Sequence, residues 1–103
     1  LKCVEIKKDM GWCDDENYPL KYNKLIKINK KIRHENLKRK DHKYDLLIPI
    51  KYNFKKPIPG LGSCIFIHLT DDYKPTDGCI ALKKKDFLIM AKIIKKNSKI
   101  KIL

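Results

Sequence analysis

The sequence predicts a mainly β domain of the α+β class with one packed helix near its C-terminal end. Short apolar runs, separated by Pro, Gly, Asn and Asp, recur along the 103 residues. Only one segment, residues 84–96, has apolar residues at helical spacing over several turns. An apolar content of 43% is enough for one modest core in a chain of this length. We therefore expect a single domain spanning residues 1–103.

The expected strands are short. Residues 64–69 form a continuous apolar run, which is typical of a buried strand. Pro49 has no amide proton for a ladder, so the strand expected at 44–52 should lie at a sheet edge or contain a bulge. The remaining expected strands are 2–6, 25–28, 79–82 and 99–103.

The connecting segments are polar or rich in turn-forming residues. Residues 9–24 and 53–63 contain Gly, Pro, Asn and Asp and are expected to be loops. Residues 30–43 are almost wholly polar and are expected to be a surface segment with at most one helical turn.

The helix predicted at 84–96 has an apolar stripe and charges that match its dipole. Asp86 suits the first turn, and two lysines suit the last. The expected inward-facing residues are Phe87, Met90, Ala91 and Ile94, widened by Leu88 and Ile93, and the lysines of the last turn are Lys95 and Lys96.

The net charge of +13 raises the possibility of a small basic nucleic-acid-binding module. Against this, Arg33 and Arg39 are the only arginines, and the lysines are scattered along the whole chain. A compositional bias explains this pattern, although a positive surface attracts any polyanion. Because of the scarce arginines and the scattered lysines, we expect no nucleic-acid partner. No apolar run approaches the length of about 18 residues that a membrane span needs, so we also expect no transmembrane segment.

Four cysteines are compatible with two disulfides in three pairings, and the sequence leaves this open. No Cys-x-x-Cys is present, which argues against a zinc knuckle or ribbon. A structural zinc domain that uses Cys64, His68 and Cys79 remains an alternative, predicting loss of the fold on chelation. Cys64 lies inside an apolar run and is most simply a small buried hydrophobe.

His68 and Cys79 are the clearest candidates for reactive side chains. His68 ends the apolar run, and Cys79 follows Gly78 at the start of the next expected strand. If the two strands are neighbours, the imidazole and the thiol can meet, and such a pair is the minimum for thiol-based acyl transfer. Gly78 lets the backbone turn so that N–H groups face a developing oxyanion.

This stretch resembles the active-site signature of the L,D-transpeptidase catalytic domain (YkuD) family. His68 matches the family's first His, and Thr76, Gly78, Cys79 and Ile80 match the Ser/Thr, the Gly, the nucleophile and the apolar position after it. The resemblance extends to nearly the whole chain. It includes Met10-Gly11-Trp12-Cys13-Asp14-Asp15, Tyr22-Asn23, His34-Glu35-Asn36-Leu37, Asp41, Tyr44-Asp45 and Pro59-Gly60-Leu61-Gly62-Ser63.

The resemblance implies a β-sandwich or barrel and a cysteine acyltransferase acting on peptidoglycan stem peptides in the bacterial envelope or periplasm. It implies that Cys79 is the nucleophile, that His68 moves the proton, that the Leu69 carbonyl orients the imidazole, and that Gly78 contributes a backbone N–H to the oxyanion site. No metal or organic cofactor is implied. The chain resembles the C-terminal two-thirds of the family's domain, so we expect N-terminal strands of that domain to be missing here.

Two features of the sequence bear on substrate binding. Asp77 stands where the common pattern has a second His, and an acid beside an oxyanion would repel it. Substrate-side candidates are Thr76, Asp77, Trp12, Tyr22, His34 and Tyr44, with Glu35 nearby. A large aromatic such as Trp12 more often packs a core, and Tyr44 could simply cover a strand. Asp77 and the missing strands leave a catalytically inactive, wall-binding relative as a further alternative, and the oligomeric state and the acceptor remain open.

Overall fold

A computed structural model describes residues 4–73, 76 and 78–101. In this part of the chain, two three-stranded sheets and one helix confirm the mainly β, α+β class. The elements are β1 (Met10–Cys13), β2 (Leu25–Lys27), β3 (His34–Asn36), β4 (Leu47–Pro49), β5 (Phe66–Leu69), β6 (Ile80–Leu82) and α1 (Lys84–Ile93).

In the first sheet, β1 lies between β2 and β3 and is antiparallel to both. Gly11 pairs with Ile26 on one side and Asn36 on the other. A Cβ built on Gly11 would lie 2.9 Å from Cδ2 of His34 and 3.2 Å from the Glu35 carbonyl oxygen. A side chain at this position would therefore push β3 away from the centre of the sheet.

In the second sheet, β5 lies between β4, which is antiparallel to it, and β6, which is parallel. Pro49 lies on the edge strand β4, as its missing amide proton predicts. Three of the four β5 residues are buried, in agreement with the apolar run in the sequence. In the parallel β5–β6 pairing, Ile67 lies beside Ile80 and Leu69 beside Leu82, and residues 70–79 connect the end of β5 to the start of β6.

Aromatic rings join the two sheets. Phe66, fully buried on β5, receives the edge of Trp12 from β1 at 5.2 Å between ring centroids and that of Tyr44 at 5.5 Å. Leu37 completes this buried cluster. Such edge-to-face pairs contribute about 0.5–1.5 kcal/mol each beyond the burial of their area. The core therefore lies between β1 and β5, directly beneath the end of β5 that carries His68.

The helix is shorter and less buried than expected. It ends at Ile93, so Lys95 and Lys96 lie beyond it, and Lys92 is the basic residue of its last turn. Asp86 lies in the first turn, as predicted. Phe87 packs inward, but Leu88 is 45% exposed and Ile93 is 72% exposed, because only one side of the helix is covered by the sheet.

Several strand predictions need correction. The loop expected at 9–24 contains β1, and the surface segment expected at 30–43 contains β3, because pairing with buried neighbours outweighs their polar composition. No strand forms at Val4–Ile6 or at 99–101, the described parts of two expected strands, and residues 1–3, 102 and 103 lie outside the described range. The strands expected at 44–52, 64–69 and 79–82 are present but shorter. No helix in the described residues is long and apolar enough to cross a membrane.

Candidate active site

His68 is the third residue of β5 and is only 6% exposed. Its Nδ1 lies 2.8 Å from the carbonyl oxygen of Leu69. Since a carbonyl oxygen can only accept, this bond requires a proton on Nδ1. In the neutral ring, Nε2 then carries no proton, so the imidazole can accept one at this nitrogen.

Cys79 immediately precedes β6, at the edge of the same sheet. His68 pairs with Ala81 across the parallel β5–β6 ladder, so these two side chains share one face. By strand alternation, Cys79, two residues before Ala81, belongs to this face as well. Cys79 is half-buried and packs against the Trp12–Phe66 core cluster. The register thus brings the thiol and the imidazole to one face of neighbouring strands.

The backbone around Cys79 is held in a specific conformation. Gly78 has a φ of +89°, a value that favours glycine. A Cβ at Gly78 would meet only Cδ1 of Ile65, at an ordinary 3.4 Å, so the backbone angle rather than lack of space requires glycine. The hydroxyl of Thr76 donates to the Cys79 carbonyl oxygen, which ties this exposed residue to the turn. Asp77 lies outside the described residues.

Cys64 is a feature of the site that the sequence did not reveal. The Cys79 thiol donates to the Cys64 carbonyl oxygen at 3.1 Å. Cys64 itself has a φ of +61°, a left-handed conformation that is uncommon outside Gly and Asn. Burial raises the pKa of the Cys64 thiol to about 12, so this second thiol stays protonated at neutral pH. No local sequence pattern signals a left-handed cysteine within an apolar run.

Tyr44 touches His68 directly. Their ring centroids are 5.4 Å apart in an edge-to-face arrangement. The Tyr44 hydroxyl donates to Oε2 of Glu35 at 2.7 Å, and the ring is 6% exposed. Burial, and then the bond to Glu35, raises the pKa of Tyr44 well above its ordinary value. The guanidinium of Arg39 lies 5.1 Å from the centroid of the Tyr44 ring.

The other substrate-side candidates have contacts within the fold. The indole Nε1 of Trp12 donates to Oδ1 of buried Asn23 at 2.9 Å. The buried Tyr22 hydroxyl accepts a bond from the Gly62 amide at 3.3 Å. The two ring nitrogens of His34 lie 2.7 Å from the Ile32 carbonyl oxygen and 3.0 Å from Oδ1 of Asn36. These positions give all three residues packing and hydrogen-bonding roles.

The connection after β5 is fastened to the helix. The Tyr73 hydroxyl donates to Asp86 at 2.7 Å and accepts from the Lys83 amide at 3.0 Å. A surface pocket of about 430 Å³ lies beside this connection, lined in part by Leu69 and Thr70. A second pocket of about 390 Å³ borders Tyr44. Neither of these two pockets is lined by His68 or Cys79.

The described side chains give no support to the zinc alternative. Among residues 4–73, 76 and 78–101, no group of three His, Cys, Asp or Glu side chains is arranged to hold a metal ion. Cys13, Cys64 and Cys79 are present as thiols, and Cys3 lies outside this range. The described cysteines thus form neither a metal site nor a disulfide.

Comparison with known proteins gives one match. Residues 7–102 match the YkuD family model, described as the L,D-transpeptidase catalytic domain. Searches among curated proteins and among solved structures found no match. The matched range covers nearly the entire chain, including β5 with His68 and Cys79 with the strand β6 that follows it.

Proposed function

The chain belongs to the L,D-transpeptidase catalytic domain family, and from this premise we propose that it is a cysteine L,D-transpeptidase acting on peptidoglycan stem peptides. The observation that carries the proposal is the pairing of β5 with β6, because it brings His68 beside the strand that Cys79 immediately precedes. The bond from Nδ1 of His68 to the Leu69 carbonyl and the positive φ of Gly78 support it. Because the family acts on the cell wall, we place the enzyme in the bacterial envelope.

The proposed reaction has two half-reactions. Cys79 Sγ attacks the carbonyl between an L-centred residue and D-alanine, and the thiol proton passes through His68 to the departing amine. A C–S bond forms, the C–N bond breaks, and free D-alanine leaves. An acceptor amine then attacks the thioester, a C–N bond forms and the C–S bond breaks, which gives the 3–3 cross-link. The proton of the amine passes through His68 to the departing thiolate and restores Cys79. Water in place of the amine makes the reaction a carboxypeptidation.

Each neighbouring group has a role in this scheme. The backbone N–H groups at Gly78 and Cys79 stabilise the negative oxygen of the tetrahedral intermediate, since donors fixed in advance need no reorganisation. The Leu69 carbonyl keeps the proton on Nδ1 of His68, so that Nε2 faces the reaction. Before ionisation, the thiol rests on the Cys64 carbonyl. Thr76 binds the Cys79 carbonyl and borders the substrate side.

The test is the intact mass of the protein after incubation with a carbapenem, whose strained amide acylates a reactive thiol. We expect one adduct on the parent, mapped to Cys79, and none on Cys79→Ser. The parent unfolded in urea is the control for non-specific acylation and should carry no adduct. Release of D-alanine from a stem tetrapeptide then tests the substrate. Absence of an adduct on folded parent protein contradicts the proposal and favours an inactive wall-binding relative.

A further inference from the structure

Tyr44 has contacts on both sheets. Its hydroxyl is bonded to the Glu35 carboxylate on β3, and its ring packs between Phe66 and His68 on β5. One side chain therefore connects the first sheet to the imidazole on the second. Tyr44 is only 6% exposed, so it presents little surface to a substrate.

A second chain of contacts fixes the ring from the solvent side. The Arg39 guanidinium lies over Tyr44, and Arg39 is itself bonded to Asp41 through Nε at 2.9 Å and through Nη2. The hydrogen bond to Asp41 raises the pKa of Arg39 above its already high ordinary value, so Arg39 keeps its positive charge at every pH used in the experiments below. The ring of Tyr44 is thus confined by a carboxylate at its hydroxyl, a cation at its face and an aromatic core behind it.

His68, in contrast, has one described hydrogen bond, from Nδ1 to Leu69. One such bond fixes the tautomer but leaves the ring able to tilt about it. The edge-to-face contact with Tyr44, at 5.4 Å and an interplanar angle of 72°, closes this remaining freedom. Both contacts together therefore restrict the orientation of the imidazole ring.

We propose that Tyr44 is the positioning residue for His68, held in turn by Glu35, and that it keeps the imidazole aligned with the Cys79 thiol. The expected effect on the reactivity of Cys79 rests on the function proposed above, whereas the effect of Tyr44 on the orientation of the His68 ring does not. The titratable and charged groups around the two rings are Glu35 on β3, Arg39 and Asp41 before β4, Cys64 before β5 and Cys79 before β6.

The first experiment measures the rate of carbapenem acylation of Cys79 against pH in Tyr44→Leu and Tyr44→Phe. A poorly aligned imidazole stabilises the thiolate less, so Tyr44→Leu should react about 10–100-fold more slowly at neutral pH. Its rate should converge with that of the parent at alkaline pH, where the thiol ionises without help. Tyr44→Phe keeps the ring but loses the hydroxyl bond to Glu35, so it should lose some rate at neutral pH, as Glu35→Ala should, but much less than Tyr44→Leu. Equal rates in the Leu variant and the parent, or a loss uniform across pH, would overturn the proposal.

Glu35→Ala keeps the Tyr44 ring but removes the hydrogen-bond acceptor of its hydroxyl. This variant tests the same proposal if Tyr44→Leu does not fold. We expect a smaller loss than in Tyr44→Leu, again confined to neutral pH. Ile32→Ala is the control for lost stability, since Ile32 is buried outside the Tyr44 cluster and its truncation costs about 2–5 kcal/mol. This control should leave the pH profile unchanged. An unchanged profile in Glu35→Ala would argue against the proposal.

The second experiment needs no activity. Imidazole nitrogen and carbon-bound proton signals of His68 report its tautomer and the ring current of Tyr44 in nuclear magnetic resonance spectra. Tyr44→Leu should shift the His68 signals and mix its tautomers, whereas Tyr44→Phe, which keeps the ring, should shift them much less. The exposed ring of His42 is the internal reference. If the parent is not acylated, the proposed enzyme function fails, and unmoved His68 signals in Tyr44→Leu would separately refute the positioning role.

Discussion

Nδ1 of His68 lies 2.8 Å from the carbonyl oxygen of Leu69, the next residue of the same strand. The imidazole is thus oriented by a backbone group rather than by an acidic side chain. A backbone acceptor cannot be removed by substitution and carries no charge, so this contact fixes the tautomer without stabilising an imidazolium as a carboxylate does. The properties of the thiol and the surrounding turn can therefore be tested separately from the orientation of His68.

The two half-buried thiols should differ in their rates of alkylation. Burial raises the pKa of Cys64 to about 12, so at neutral pH almost none of it is the reactive thiolate. We expect iodoacetamide to modify Cys79 well before Cys64 at pH 7, as measured by peptide mapping. Cys79→Ser should then show only slow labelling at Cys64 that speeds up as the pH rises towards 12. Faster labelling of Cys64 than of Cys79 in the folded parent would contradict this.

Gly78 and Gly60 have nearly the same backbone conformation, so substitutions at the two positions can be compared to test the turn before Cys79. Their φ values are +89° and +90°, so an alanine at either position should cost about 1–2 kcal/mol of backbone strain. Only Gly78→Ala should also slow acylation of Cys79, because it shifts the N–H groups proposed to face the oxyanion. Urea unfolding measures the first effect and intact mass the second. Equal acylation rates in the two variants would show that the φ of Gly78 matters for folding alone.

The sequence predicted the elements that depend on local pattern. The apolar run before His68 predicted a buried strand, Pro49 predicted an edge, and Asp86 marked the first turn of the helix. The neighbouring positions of His68 and Cys79 were expected only on the condition that their strands pair, and the parallel β5–β6 ladder meets this condition. Local signals thus located both residues along the chain, and tertiary pairing brought their strands together.

The missed features depend on partners that are distant in sequence. β3 is polar and becomes a strand because Gly11–Cys13 pairs with it. The bond from Trp12 to Asn23 and its contact with Phe66 likewise join residues that are distant in sequence, and they agree with the packing role that the sequence favours for this ring. The left-handed Cys64 left no sequence signal because such a conformation in a non-glycine residue is imposed by its surroundings.

Asn23 should be a major determinant of stability. It has a φ of 55°, it accepts the bond from Trp12 Nε1, and its amide donates to the carbonyl oxygens of Tyr52 and Asn53. Asn23→Ala leaves these buried groups without partners and places alanine in a left-handed conformation. We expect a loss of about 3 kcal/mol in the free energy of unfolding, measured by urea titration. The exposed Asn17→Ala is the control, and a similar small effect in both variants would disprove this role.

Alkaline pH should destabilise the fold through Tyr44 and Cys64. Burial raises the pKa of both groups, and for Cys64 the value rises from 9.0 to about 12. Between these two pH values the unfolded chain loses the Cys64 proton while the folded chain keeps it, so the stability contributed by the neutral thiol is lost as pH rises. The Tyr44 hydroxyl acts in the same direction above its ordinary pKa of 10.0.

The urea midpoint should therefore fall steadily between about pH 9 and pH 11. Cys64→Ala removes one of the two titrating groups and should make this fall shallower, although the variant is less stable at pH 7 because the side chain packs against the core. Comparing slopes rather than midpoints separates the titration from the lost packing. A parent midpoint that stays constant up to pH 11 would mean that neither group is protected from solvent as the structure indicates.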